Sequence, residues 1–387
     1  MPEDCELGSG SVRGAFRAVR VLLVTLPSIP HVDIESLAHF DRVVAAGAVT
    51  MEGWRIQSVD LSGRTADLLG MDPRGSLFLG CVLDEKAEAW IRAGGGLVFP
   101  TIPALPFDAY RGELYDADEL FAGLESGYDA TPDAKIYAWS RQHDEKGDTS
   151  RTLASALHDH AIADALTELP DHRPWIGVMG GHGVARGSTA YRSAVLLGRT
   201  LARAGHTVVT GGGPGAMEAA NLGASLAEYD DSALDSALSA LAAVPSFRPS
   251  VAAWAAAGLD VRRQFPGDGG VSIPTWFYGH EPPNVFASSI AKYFSNAQRE
   301  DVLLRRARGG ILYLPGAAGT VQEIFQAATP NYYGDQATQI PLVLVGIHHW
   351  TVNLPVWPLL QSLAANRPMS ASIHLVDTIE EAATLIS

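Results

Sequence analysis

The chain has 387 residues, 47% hydrophobic and 18% charged, a balance ordinary for a globular protein and too apolar for a disordered one. At about 100–200 residues per domain, it has room for two or three domains and a sizeable core. Its 28 Lys and Arg against 43 Asp and Glu give a formal charge of -15, which argues against DNA, RNA or an anionic membrane as main partner, because each needs a net basic face. That charge does not exclude a small anion held in a local pocket. Two cysteines, Cys5 and Cys81, are too few for a disulfide scaffold or a Cys-based zinc site and fit a reducing cytoplasm. No stretch reaches about 18 consecutive apolar residues, so no membrane span is expected. Residues 1–14 are polar and lack the basic start and apolar core of a signal peptide.

Residues 1–150 read as an N-terminal α/β unit of open role. Arg20–Leu26 is an expected strand, and Ile34–Ala46 has helical spacing of apolar residues. Leu77–Val82 and Gly96–Pro100 are expected strands around a helix at Glu85–Ala93. A proline-broken loop, Thr101–Tyr110, precedes helices near Asp118–Leu124 and Ala134–Gln142, and polar residues 143–150 form a linker. No internal repeat is legible.

Residues 151–387 open with a helix at Arg151–Leu169. Strands and helices then alternate every 20–30 residues or so, which signals a Rossmann-like, doubly wound parallel sheet. The expected strands are Trp175–Met179, His206–Thr210, Val271–Trp276, Gly310–Leu314, Pro341–Val345 and Ile373–Val376. The expected helices include Ala190–Ala204, Ala216–Glu228, Val285–Ala307, Val321–Ala327 and Leu354–Ala364. Asp230–Gly258 is an Ala-, Ser- and Leu-rich helical insertion, either a packing helix outside the sheet or a lid.

Three glycine-rich turns end predicted strands: Gly180–Gly187, Gly211–Gly215 running into Ala216-Met217, and Pro315–Thr320 running into Val321-Gln322-Glu323. In parallel sheets ligands bind at the carboxyl ends of strands. A glycine turn lets backbone approach an oxyanion, and the next helix presents free N–H groups and its positive dipole end. Two such units at one rim point to a phosphate site. The spacing is not a dinucleotide fingerprint, and no acidic residue closes Val271–Trp276, so a nicotinamide dehydrogenase is disfavoured. Neither loop carries Gly-Lys-Ser/Thr, so a Walker-type ATPase is disfavoured too.

Gly211-Gly212-Gly213-Pro214-Gly215-Ala216-Met217 followed by Pro315-Gly316-Ala317-Ala318-Gly319-Thr320-Val321-Gln322-Glu323 resembles the Lonely Guy (LOG) family. The likeness covers about residues 174–387. It implies a nucleoside 5′-monophosphate phosphoribohydrolase, releasing free base and ribose 5-phosphate, on a Rossmann-like sheet. The family was formerly labelled lysine decarboxylase, and AMP is among the nucleotides to test. The resemblance maps the catalytic Glu onto Glu323 and the catalytic Arg onto Arg299, with Arg305, Arg306 and Arg308 as weaker alternatives. It implies a homodimer or larger homo-oligomer, and no metal or redox cofactor. Two positions depart from the pattern: Ala317 replaces a glycine, and Glu300 replaces the lysine of an Arg-Lys pair.

Breaking an N-glycosidic bond passes through an oxocarbenium-like sugar and needs a carboxylate and an activated water. Glu323 has that role under the resemblance; otherwise it is a first-turn residue complementing the helix dipole. Gly211, Gly212, Gly213, Gly215, Gly316, Ala317, Ala318, Gly319 and Thr320 are the expected phosphate contacts. Met217 packs near the base or in the core. His280, Glu281 and Asn284 contact base or ribose, or they form a turn in which Asn284 caps the next helix. Asn331-Tyr332-Tyr333 stacks on a base or packs on the surface. His158 and His160 do not face each other on a helix and make a poor metal pair. Lys292, the one lysine of the second unit, is expected mid-helix and away from the loops, which disfavours pyridoxal phosphate chemistry. A rival reading is a non-catalytic nucleotide or molybdenum-cofactor carrier, which has no need of Glu323. A DNA-processing rival is opposed by the charge.

Overall fold

The computed structural model describes residues 31–142, 148–170, 172–278 and 281–386. The expected strand at Arg20–Leu26 and Cys5 lie outside them. Among the described residues no helix is long and apolar enough to cross a membrane.

The chain folds as two parallel α/β sheets. Among the described residues the first has four strands, β1 (Val32–Ile34), β2 (Trp54–Gln57), β3 (Leu77–Leu79) and β4 (Leu97–Phe99), in sequential order. Between them run α1 (Leu37–Ala45), α2 (Thr65–Leu69) and α3 (Glu85–Ala93). Ser36 and Asp84 cap α1 and α3 by accepting from His39 N and Lys86 N. The strands recur every 20–23 residues, a structural repeat that the sequence reading does not show. The pairing explains why. Ile34, Ile56, Phe78 and Val98 stand side by side in register and are buried. Any large apolar side chain satisfies that ladder, so geometry repeats while residue identity does not. Strand β2 itself was not among the expected elements.

The segment that follows packs on the second sheet. It includes α4 (Ala117–Leu120), α5 (Pro132–Arg141) and α6 (Thr149–Glu168). Tyr115, Leu120, Phe121, Ile136 and Ile162 are buried in the core of that sheet. Tyr115 N bonds Ile290 O at 3.1 Å, and Ile290 N returns the bond to Tyr115 O at 2.8 Å. From Tyr115 onward the chain thus shares the core of the second sheet, through tertiary bonds that outweigh chain proximity. Arg55 clamps the two parts, with Asp33 at 2.7 Å and Asp164 of α6 at 2.9 Å.

The second sheet has β5 (Trp175–Met179), β6 (Thr207–Thr210), β7 (Val271–Ser272), β8 (Ser289–Ile290), β9 (Gly310–Tyr313), β10 (Leu342–Val345) and β11 (Ile373–Val376). Their order, β11-β10-β9-β5-β6-β7-β8, is all parallel and reverses direction about β5, the Rossmann-like doubly wound arrangement. β5, β9 and β10 are buried along their whole length, as strands covered by helices on both faces must be. Helices α7 (Thr189–Arg203), α8 (Ala216–Ser225), α9 (Asp231–Ala242), α10 (Val251–Gln264), α11 (Asn296–Arg306), α12 (Ala318–Tyr333), α13 (Val356–Ala364) and α14 (Ile379–Thr384) supply the cover. The insertion is α9 and α10, packed through Leu234, Leu241 and Trp254. Arg186 anchors it, donating to Trp254 O at 3.0 Å while paired to buried Glu218.

The expected helix Val285–Ala307 forms only from Asn296. Residues before it run extended as β8, since Ser289 and Ile290 pair with Val271 and Ser272. Lys292 is thus not on a helix.

Candidate functional site

The strand order reverses between β5 and β9, and the turns after β5, β6 and β9 meet at that point. Gly181 N donates to Pro315 O at 3.1 Å, and Ala216 N donates to Gly181 O at 3.1 Å. Glycine is required at Gly215, where φ is +74° and a Cβ would lie 2.5 Å from Gly181 O. At Gly316 a Cβ would meet Thr320 Oγ1 at 2.1 Å. Ala317 sits at φ -121°, so its methyl group is unstrained there. Neither α8 nor α12 has a side-chain cap, which leaves first-turn N–H groups available to an anion. Pro315, Ala317, Ala318 and Gly319 are exposed, while Gly211, Gly212, Gly213, Gly215 and Thr320 are buried.

Glu323 lies near the end of the second turn of α12 and points at α11. Arg299 Nη1 donates to Glu323 Oε1 at 3.2 Å, and both residues are buried. A Cβ at Gly211 would lie 3.6 Å from Arg299 Nη2, so the arginine also reaches the first glycine loop. Arg299 therefore lies between Glu323 of α12 and the Gly211–Gly215 loop. Its Nε is buried and has no hydrogen-bond partner among the described residues, and the same holds for Asn296 Oδ1. Burial pushes the Glu323 carboxyl up from 4.5 to about 7; Arg299 opposes the rise and Glu300 adds to it. A carboxyl that titrates near neutrality can both give and take a proton.

Asp159 of α6 sets the start of α11, accepting from Phe294 N and Ser295 N at 2.8 Å each. Sequence reading missed this support. Its signal was faint: Asp159 lies inside the His158–His160 pattern. Neighbouring His158 bonds the Tyr115 hydroxyl at 2.8 Å inside an aromatic cluster, while His160 is exposed, so the two do not converge. Asn296 was also missed. It sits one turn before Arg299 and Glu300, and it donates to Glu300 Oε1 at 2.9 Å and to the Tyr278 hydroxyl at 3.0 Å.

Met217 is half-buried against Gly211 and Gly213, where Cβ atoms would come within 2.9 Å of its sulfur and its methyl group. It therefore lies at the site rather than deep in the core. Glu281 lies beyond Gly213 and pairs with His182 Nδ1 at 3.2 Å. Asn284 is a correction. It is fully buried, donates to Asn221 Oδ1 at 3.0 Å and accepts from Phe286 N and Ala287 N. Asn221 also accepts from Thr210 Oγ1, which in turn accepts from Gly212 N. Asn284 thus braces the Gly211–Gly215 loop from the buried interior; it caps a turn, not a helix. His280 lies outside the described residues.

Arg305, Arg306 and Arg308 do not approach the loops: Arg305 pairs with Asp301, Arg306 lies over the Trp175 ring, and Arg308 bonds Arg305 O. Asn331 bonds the Ile340 backbone, and Tyr332 accepts from Arg367. Tyr333 lies ten residues beyond Glu323 on the same helix, about 15 Å away at 1.5 Å per residue, too far to stack on a base there. Lys292 is buried against Asp133 at 2.6 Å, and burial lowers its proton affinity.

Residues 173–228 match the model of the SLOG cluster4 family. The match runs from β5 through the first glycine loop to the end of α8, in agreement with the LOG-type resemblance of Gly211–Met217. It stops short of Glu281, Arg299 and Glu323. No curated protein matches the chain. The chain is similar to solved structures that include the molybdenum cofactor binding protein from Rippkaea orientalis, at 19% identity over 56% of this chain and 97% of that one, with a TM-score of 0.34. The Moco carrier protein from Chlamydomonas reinhardtii shares 18% identity over 56% of this chain and 96% of that one, at a TM-score of 0.34. Likeness of that degree carries no argument about ligand or activity.

Proposed function

We propose that the chain hydrolyses the N-glycosidic bond of a nucleoside 5′-monophosphate, releasing free base and ribose 5-phosphate. The observation that carries this reading is the buried Arg299–Glu323 pair beside two uncapped, glycine-turned helix starts. The helix starts suit the 5′-phosphate, and the unpartnered Arg299 Nε is a donor for phosphate or ribose. As the C1′–N bond breaks, its electrons go to the base nitrogen, which takes a proton from Glu323. Water then bonds C1′ and returns a proton to Glu323, so one carboxyl serves as acid and then as base. Glu323 pushed up to about 7 suits both steps.

A screen of nucleoside monophosphates for ribose 5-phosphate tests the reading, with AMP first. Glu323→Ala is expected to abolish release while nucleotide binding stays within a few-fold. If wild-type protein binds a monophosphate and releases no base, it is a carrier. We extend the proposal to a homo-oligomer, which light scattering tests. Tyr333, Leu359 and Leu363 stand exposed on α12 and α13 and suit such a contact.

A further inference from the structure

Glu300 occupies the place of a lysine in the LOG-type pattern and is only 2% exposed. A buried carboxylate is costly unless it is held or paired. Its Oε1 accepts from Asn296 Nδ2 at 2.9 Å and its Oε2 from Gln322 Nε2. Both donors are neutral amides, so they fix the carboxylate without cancelling its charge. They come from α11 and α12, the helices that carry Arg299 and Glu323. Arg299 Nη1 lies 3.2 Å from Glu323 Oε1 and 3.8 Å from Glu300 Oε1. One guanidinium thus faces two carboxylates held at fixed positions.

We propose that Glu300 is a positioning residue that shares Arg299 with Glu323, so that Glu323 keeps a proton to hand to the departing base. This rests on the nucleosidase reading. A lysine at 300 would place a second cation beside Glu323 and favour its carboxylate form; a glutamate does the opposite. Among the described residues, few groups face Glu323. Arg299 and Glu300 face it from α11. From β9, Tyr313 donates its hydroxyl to the Glu323 backbone carbonyl at 3.3 Å. The Gly211–Gly215 loop brings no titratable side chain, and Glu281 lies beyond Gly213. The rise of the Glu323 carboxyl to about 7, with Arg299 opposing and Glu300 adding, agrees with this arrangement.

The test is a carbon-13 NMR titration of the full chain labelled at glutamate side-chain carboxyls, with no ligand added. Glu323 is assigned by its loss in Glu323→Gln. Glu300→Gln is expected to lower the Glu323 midpoint by about one pH unit, and Glu300→Asp to remain nearer the wild type. Gln322→Leu, at an exposed position that poses little risk to folding, frees Glu300 to draw Arg299 away and is expected to raise the midpoint. The alkaline limb of kcat/KM for the active nucleotide should follow each shift. A midpoint unmoved in Glu300→Gln and Gln322→Leu overturns the role of Glu300 alone. Absence of base release from every monophosphate overturns the nucleosidase reading alone.

Discussion

Glu323 should weaken the fold at the pH where it works, and Glu323→Gln exposes the effect. Its carboxyl is raised from 4.5 to about 7 in the native protein because burial disfavours the charged form. The native state therefore binds more protons than the unfolded chain between those two values. Stability is fully present below about 4.5, falls as pH rises, and levels off above about 7. At about 1.4 kcal/mol per pH unit, the gap amounts to about 3 kcal/mol. Glutamine fills the same space and does not ionise. The unfolding free energy of wild type minus that of Glu323→Gln should thus drop by about 3 kcal/mol between pH 4 and pH 8. Any fixed cost of losing the bond to Arg299 cancels in that difference. Urea unfolding of both proteins across the range measures it. A difference that stays level with pH, or one that rises, would refute the account of a buried, proton-retaining Glu323.

Three further predictions rest on other parts of the fold. Gly215→Ala forces a side chain to φ +74° against two backbone carbonyls, and should cost about 2 kcal/mol or more and abolish nucleotide binding, read by urea unfolding and calorimetry. Lys292→Met leaves Asp133 buried without its cation and should cost about 3–5 kcal/mol, part of which the double variant with Asp133→Asn recovers. In Lys292→Met alone, Asp133 still accepts from Trp276 Nε1 and the Tyr128 hydroxyl. Burial pushes the Cys81 thiol up to about 11, so iodoacetamide at pH 8 should label it only after unfolding, as peptide mass spectrometry will show.

Much of the second sheet was legible in the sequence because its strands are short, continuous apolar runs closed by glycine turns. Trp175–Met179 and Ile373–Val376 have the expected boundaries. Local chemistry also set the two anion-ready helix starts: Gly215 and Gly316 are the residues their turns demand. What failed was whatever depended on distant partners. Val285–Ile290 has apolar spacing compatible with a helix, yet Ser289 and Ile290 pair with β7 as a strand. Asn284 reads as a ligand for a base until Asn221 claims it. Glu300 reads as a lost cation until Asn296 and Gln322 hold it beside Arg299. The charge sharpens the same division. Residues 1–150 carry 13 basic and 24 acidic residues, so most of the -15 falls in that stretch of the sequence. Sequence alone determined where most strands of the second sheet bury and where the backbone must turn, since these follow from side-chain size, polarity and φ. Only tertiary structure decided which charges meet, because a proton's affinity for Glu323 depends on burial and on neighbours far off in the chain.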